Sequence, residues 1–358
     1  MDMKMLNQIL EIAFEKRVSD LHFEVDNPPF FRARGQLLRS KLQNLTADET
    51  VFIAERIMEQ HGRKLPDMFR EIDTSYSLPS GGRFRVSIFR QRGSIGIVMR
   101  VIPPHVGTFQ ELNLPPVLGE IVKAPNGLIL VTGPTGNGKS TTLASMIRYL
   151  NENSSFNIIT IEDPIEILFT SNKSCIVQRE VGIDTESFST ALRAALRMDP
   201  DVVMVGELRD TETIDACIKA AETGHLVMST LHTQSAASTI NRLIGQYPPD
   251  AQEVLRHRLA DVLVATVSLR LTKDKSGERL LPVVEVMRTT STIQACIREG
   301  RLDEIEKHIE NGQSQYQMQT LDQHLVQLCQ QDLITLDQAK RITRSTDLER
   351  KLTFTTEY

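Results

Sequence analysis

Met5, Leu6, Ile9, Leu10, Ala13 and Phe14 recur at three- and four-residue spacing, the periodicity of one apolar helix face. From Leu21 the period changes. Leu21, Phe23 and Val25 alternate with His22 and Glu24, as along a strand with one buried face. Two further alternating stretches, 83–89 and 95–100, flank a turn containing Gly93 and predict a hairpin. In the first of them Phe84, Val86 and Ile88 share a face, which puts Arg83 and Arg85 together on the other. These elements define a small α+β domain, assigned to residues 1–105.

Between 103 and 125, five prolines and Gly107 interrupt the periodicity. Residues 106–120 are read as a linker, with the domain boundary near residue 110. Beyond it the pattern changes in kind. The runs 128–131, 158–161, 202–205 and 226–231 are short and apolar apart from Thr160, Ser229 and Thr230, and helical patterns separate them. Strands without a polar face are buried on both sides, so these four predict a parallel sheet covered by helices. The stretches 262–271 and 280–287 flank a polar turn at 273–277 and predict an edge hairpin. Together they form an α/β domain over 121–290. From Ile293 the pattern is helical and polar, giving a helical C-terminal subdomain over 291–358 with a frayed tail after about Thr346.

Composition narrows the functional classes. With 358 residues, 40% hydrophobic and 24% charged, the chain is folded throughout and large enough for two domains. A net charge of −5 and a pI near 6.0 argue against a nucleic-acid partner, which calls for a basic excess. No apolar run reaches the ~18 residues of a membrane span, and no signal-peptide core follows Asp2 and Lys4. A cytoplasmic protein is expected. Cys175, Cys217, Cys296 and Cys329 are widely scattered, without the paired spacing of a zinc or redox site, and are read as reduced thiols.

The chemistry begins after the first buried run. Gly133, Pro134, Thr135, Gly136, Asn137, Gly138, Lys139 and Ser140 match GxxxxGK[ST], and a helical pattern starts at Thr141. Strand, glycine-rich turn and helix are the context in which this motif binds ATP. The glycines let backbone N–H groups face phosphates at a helix N-terminus, Lys139 neutralises phosphate oxygens, and the Ser140 hydroxyl ligates Mg2+. Carboxylates follow two other runs: Glu162, Asp163 and Glu166 after 158–161, and Glu207 after 202–205. At the C-terminal edge of a parallel sheet they face the ligand crevice and can orient water. Capping a helix is the plainer role, above all for Glu162. The second of these strands ends in Gly206-Glu207, where a Walker B strand usually ends in Asp-Glu. Glu207 is thus the expected catalytic carboxylate, with Mg2+ held by Ser140, phosphates and water. His225 and His232 flank the fourth run; each is either a γ-phosphate sensor or an ordinary core or surface histidine.

Taken in order, GPTGNGKS, ITIEDPIE, RAALRMDPDVVMVGELRD and TGHLVMSTLHT resemble the Walker A, Asp, Walker B and His boxes of the type II and type IV pilus secretion ATPase superfamily. SDLHFEVDNPPFFRARG and GRFRVSIF are similar to that superfamily's PAS-like N-terminal domain. The resemblance implies a PAS-like α+β domain, a RecA-like P-loop NTPase domain and a helical C-terminal subdomain, assembled as a homohexamer. It also implies that arginines of the N-terminal domain reach the phosphates; by motif position these are Arg85 and Arg100, which otherwise read as solvated strand residues.

Within the superfamily the chain most resembles the PilT family of pilus retraction ATPases, in TIQACIREGR and YQMQTLDQHL and in an N-terminal domain that starts almost at residue 1. Neither a long extra N-terminal module nor a four-cysteine insert is present. Gln294, Ala295 and Cys296 depart from the retraction pattern, which keeps the accessory PilU type open. The implied function is pilus retraction, with an inner-membrane platform protein and a paralogous pilus ATPase as partners and peripheral association with that membrane. A RecA-like nucleic-acid motor and an ATP-binding ring without turnover are the competing readings.

Overall fold

A computed structural model of the protein describes residues 2–343 apart from 17, 34 and 103–105. The tail expected after Thr346 lies outside the described residues. The chain divides into two compact units, one made of Met1–Val106, Asp163–Phe169 and Glu180–Asp184, the other of Gly107–Glu162, Thr170–Arg179 and Thr185–Tyr358.

The first unit contains α1 (Met3–Glu15), β1 (Asp20–Phe23), β2 (Phe30–Ala33), β3 (Gln36–Arg39), α2 (Ala47–Glu59), β4 (Glu71–Ser77), β5 (Arg83–Gln91) and β6 (Ser94–Ile102). Both helices are capped by their own sequence. Asp2 accepts the Met5 amide at the start of α1, and Thr46 and Glu49 form a reciprocal capping box on α2, each worth about 1 kcal/mol. Leu6 and Leu10 of α1 and Ile53 and Ile57 of α2 share one core with Phe23, Phe84, Val86 and Ile88 of the sheet. That sheet runs β3-β2-β1-β6-β5-β4. Its antiparallel register lines up Arg32, Asp20, Arg100, Arg85 and Ser75 across five strands. Side chains alternate along a strand, so the apolar pattern of β5 collects the arginines on the face away from that core.

The second unit contains α3 (Leu118–Ile121), β7 (Gly127–Thr132), α4 (Lys139–Asn153), β8 (Asn157–Glu162), β9 (Cys175–Glu180) except its last residue, α5 (Phe188–Ala195), β10 (Val202–Val205) and α6 (Thr211–Glu222). It continues with β11 (Leu226–Leu231), α7 (Ala236–Ile244), α8 (Pro249–Val262), β12 (Leu263–Lys273), β13 (Leu280–Arg288), α9 (Ser291–Glu299), α10 (Ile305–Asn311), α11 (Gln313–Tyr316), α12 (Leu321–Gln330) and α13 (Leu336–Lys340). Strand order is β13-β12-β7-β11-β10-β8-β9. The run β12-β7-β11-β10-β8 is parallel, and β13 returns antiparallel to β12. β7, β10 and β11 are buried at every residue, as near-continuous apolar runs require. Within 106–120, Leu114, Val117 and Leu118 are buried, and the Ser145 hydroxyl donates to the Gly107 carbonyl at 2.9 Å. α12, α13 and the turn between them cover β13 through Leu325, Leu328, Ile334 and Ala339 against Leu281 and Val283. Among the described residues no helix is long and apolar enough to cross a membrane.

Candidate active site

β7 ends at Thr132 and α4 begins at Lys139, so Gly133 to Gly138 form the turn between a buried strand and a helix. Gly133, Gly136 and Gly138 have φ of 146°, 79° and 84°, values disfavoured for residues with a Cβ. At Gly133 the requirement is also steric, because a Cβ there would stand 2.5 Å from the Leu269 carbonyl oxygen. Asn137 ties the turn to β12 by accepting the Leu271 amide at 2.8 Å. The first amides of α4 have no partner within the helix and carry the positive end of its dipole, which makes this turn an anion site. Lys139 is buried, and its ammonium donates to the Gly133 and Pro134 carbonyls at 2.9 and 3.1 Å. Ser140 and Thr141 stand exposed on the first turn of α4.

The neighbouring strands bring their own groups to the same sheet edge. Going outward from β7, His232 follows β11, Glu207 follows β10 and Glu162 ends β8, the crevice position of a parallel α/β sheet. His232 joins two of these elements. Its Nδ1 lies 3.2 Å from Lys139 Nζ and 3.4 Å from the Thr135 hydroxyl, and its Nε2 lies 3.0 Å from Glu207. An ammonium has only donors, so Nδ1 is the acceptor, and Nε2 carries the proton donated to the carboxylate. The other Glu207 oxygen accepts from Arg209 Nε at 3.0 Å. A cavity of ≈ 470 Å³ opens here, lined by Glu207, Arg209, His232, Thr233, Arg242 and Gln246 among others.

The missing Walker B aspartate has a packing explanation. Gly206 donates its amide to the Ile161 carbonyl at 2.8 Å, and a Cβ on it would lie 3.3 Å from that same oxygen. Gly206 therefore lets the end of β10 close against β8. Glu162 is buried and accepts from the Thr160 hydroxyl at 2.6 Å and from Gln178 at 3.0 Å, so much of its hydrogen-bonding capacity is engaged within its own sheet. His225 is not brought to the P-loop. It precedes β11 at the opposite sheet edge, with Nδ1 3.0 Å from the Ala220 carbonyl at the end of α6.

Arg85, Arg100 and Glu166 belong to the first unit. Arg85 pairs with Glu166 at 3.5 Å and Arg100 with Asp20 at 2.9 Å. Burial pushes the Asp20 carboxyl up, but the Arg100 and Ser19 hydrogen bonds together with the Arg100 charge outweigh it and hold Asp20 below the usual carboxylate range. What sequence reasoning missed is the partner of Arg83. Arg83 ion-pairs with Glu180 and donates to the Ser75 and Ser77 hydroxyls and the Ile165 carbonyl. Glu180 also accepts the Ile165 amide at 3.2 Å, so this pair anchors the segment that carries Glu166.

Cys296, Glu304 and His308 bring ligand-type atoms within 4.8 Å of one another. The Arg301 guanidinium reaches Cys296 Sγ at 3.7 Å and ion-pairs with Glu304, so a cation of the chain itself already serves this cluster.

A seven-stranded, mainly parallel sheet with a phosphate-binding turn after β7 and a carboxylate–histidine–lysine series along its edge defines a P-loop nucleotide hydrolase of the RecA-like kind. The profile of the type II/IV secretion system protein family matches residues 2–341, and the chain belongs to that family. It is 42% identical to the type IV pilus retractation ATPase PilT of Pseudomonas aeruginosa, over 94% of this chain and 97% of that one. Against a twitching motility protein of Neisseria gonorrhoeae it is 41% identical over 89% and 85% of the two chains. The type IV pilus ATPase PilU of Pseudomonas aeruginosa is 37% identical, over 93% and 87%. The crystal structure of the pilus retraction motor PilT with bound ADP superposes with a TM-score of 0.88 at 42% identity, covering 96% of this chain and 99% of that one.

Proposed function

We propose that this protein is the ATP-hydrolysing motor of a type IV pilus retraction machine, working as a homohexamer at the cytoplasmic face of the inner membrane. The observation that carries the reading is the bridge of His232 between Glu207 and Lys139, in a chain that matches a retraction ATPase over nearly the full length of both. Lys139 and the amides at the start of α4 bind the β- and γ-phosphates. Glu207 orients the attacking water and takes its proton, while His232 holds Glu207 in place and registers the γ-phosphate. Mg2+ fits the donors present: Ser140 would hold it together with phosphates and water, and it would neutralise charge on the transferred phosphoryl group. Arg85 and Arg100 each exchange a carboxylate partner for phosphate oxygens, which makes nucleotide binding the force that drives the conformational step. An inner-membrane platform protein receives that motion.

Purified Lys139→Ala is expected to lose binding of a fluorescent ADP analogue. Glu207→Gln keeps that affinity and loses roughly 10²–10⁴-fold in kcat. Hydrolysis retained by Glu207→Gln would move the base role to Glu162 or Glu166. In cells, a deletion strain is expected to stop retracting pili; continued retraction in a strain without any paralogue refutes the motor assignment. The accessory reading rests on Gln294, Ala295 and Cys296. A strain that keeps this protein and lacks its paralogue separates the two, since sustained retraction identifies the principal motor and its loss an accessory one.

A further inference from the structure

Glu285 is a buried carboxylate that the mechanism above does not use. It lies on β13 and is 6% exposed. Its register partner on β12 is Ser268, and Ser268 in turn pairs with Thr132 on β7, so the three side chains form one row across the sheet. Thr132 Oγ1 donates to Ser268 Oγ at 3.0 Å, and Ser268 donates to Glu285 Oε1 at 3.2 Å. The same carboxylate oxygen accepts the backbone N–H of Ala236 at 2.7 Å. Both ends of this connection reach the nucleotide site. Thr132 immediately precedes Gly133, and Ala236 is the first residue of α7, directly after the segment that carries His232. A second tether holds that segment to β12, because Arg270 donates to the Gln234 side chain at 3.2 Å.

A glutamine would offer an acceptor oxygen at Glu285 without the desolvation cost of a charge. What the carboxylate adds is a charge-assisted hydrogen bond to an amide that has no partner within its own helix, at the positive end of the helix dipole. We propose that Glu285 is a positioning residue of the ATP site, clamping the 232–236 segment to the strand that enters the P-loop so that His232 stays between Glu207 and Lys139. The proposal rests on the reading of that site as catalytic.

The clamp titrates. Burial pushes Glu285 up to about 7 against the lowering effect of its Ala236 and Ser268 hydrogen bonds; Glu306 of α10 adds to the rise and Arg270 of β12 opposes it. Near neutrality the clamp therefore passes between a charged, tight form and a neutral, looser one.

The test compares full-length wild type with Glu285→Gln, measuring kcat and KM for ATP from pH 6 to 8.5 and hydrogen–deuterium exchange of peptides covering 232–238. Wild-type kcat is expected to rise about fivefold through an inflection near pH 7, the difference between a charged and a neutral hydrogen bond. Glu285→Gln stays at the low value at every pH, with affinity for a fluorescent ADP analogue within about twofold of wild type because the P-loop itself is untouched. At pH 8 the 232–238 peptides exchange faster in the variant than in wild type, and at pH 6 the two converge. Wild-type kcat, inflection and exchange retained in Glu285→Gln would overturn the proposal. Ser268→Ala, which removes the hydroxyl between Glu285 and Thr132, is the second variant and carries the same expectation of lowered kcat with unchanged nucleotide affinity. Absence of hydrolysis by wild type at every pH would refute the catalytic reading, and the exchange comparison still decides whether Glu285 holds the segment.

Discussion

Arg83 and Glu180 stand 97 positions apart in the chain with side chains only 11% and 3% exposed. Methionine at position 83 keeps much of the volume of the arginine stem and removes its charge and all its donors. Glu180 would retain the Ser75 hydroxyl and the Ile165 amide but lose its counter-charge. The Ser77 hydroxyl and the Ile165 carbonyl would lose their donor as well. Removing one member of a buried pair costs about 3–5 kcal/mol, because the other charge is left in a medium that solvates it poorly. Glu180→Gln strands Arg83 in the same way and belongs in the same range. In Arg83→Met/Glu180→Gln no charge remains, so the double variant is expected to cost about as much as one single, a coupling of about 3–5 kcal/mol. Urea unfolding of the four proteins, followed by far-ultraviolet circular dichroism, measures the cycle. Singles that cost under about 1 kcal/mol, as an exposed pair would, or a double variant equal to the sum of the singles, refute the reasoning.

Two buried groups give stability opposite dependences on pH. Burial lowers His324 from 6.5 to about 4, and its Nδ1 accepts the Val284 amide; a folded value below the unfolded one means stability present above pH 6.5 and lost as pH falls toward 4, worth roughly 3 kcal/mol. Melting temperature measured from pH 7 to 4 should fall less steeply in His324→Gln than in wild type, and an identical slope contradicts the assignment. Glu285, raised from 4.5 to about 7, has the reverse sign: its contribution is complete below pH 4.5 and is lost as pH rises through 7. Glu285→Gln should thus melt higher than wild type at pH 8, by up to roughly 3 kcal/mol of stability, while turning over more slowly, the trade expected of a group kept for function. A variant that melts lower at pH 8 counts against it.

The four largely apolar strands and the edge hairpin were legible because burial on both faces leaves a near-continuous run of hydrophobic residues. β3 and β9 were not, since exposed Gln36–Arg39 and the mixed Cys175–Glu180 carry no periodic signal. Gly133 to Ser140 announced itself by motif, and Glu207 by its place after a buried run. His225 and His232 flank one strand and look equivalent as residues. Only strand direction separates them, because in a parallel sheet just the C-terminal end faces the P-loop. Glu180 and Glu285 were invisible for a different reason. Their partners lie 97 and 49 positions away, and packing between elements distant in the chain, which no local pattern encodes, is what brings them together.

The route of the chain between its two units limits how the protein can be taken apart. By the division above the chain passes from one unit to the other five times, at 106, 162, 169, 179 and 184. Position 106 is thus the first of five junctions. A fragment ending there would carry Arg83 without Glu180, Arg85 without Glu166 and Ser75 without its carboxylate acceptor. It would be a piece of a domain, with a buried guanidinium and no counter-ion. The first unit is therefore not a transplantable module. A chimera between relatives that exchanges this N-terminal sheet must carry the 163–169 and 180–184 segments with it, and inheritance of the arginine face is bound to inheritance of the acidic box that follows β8.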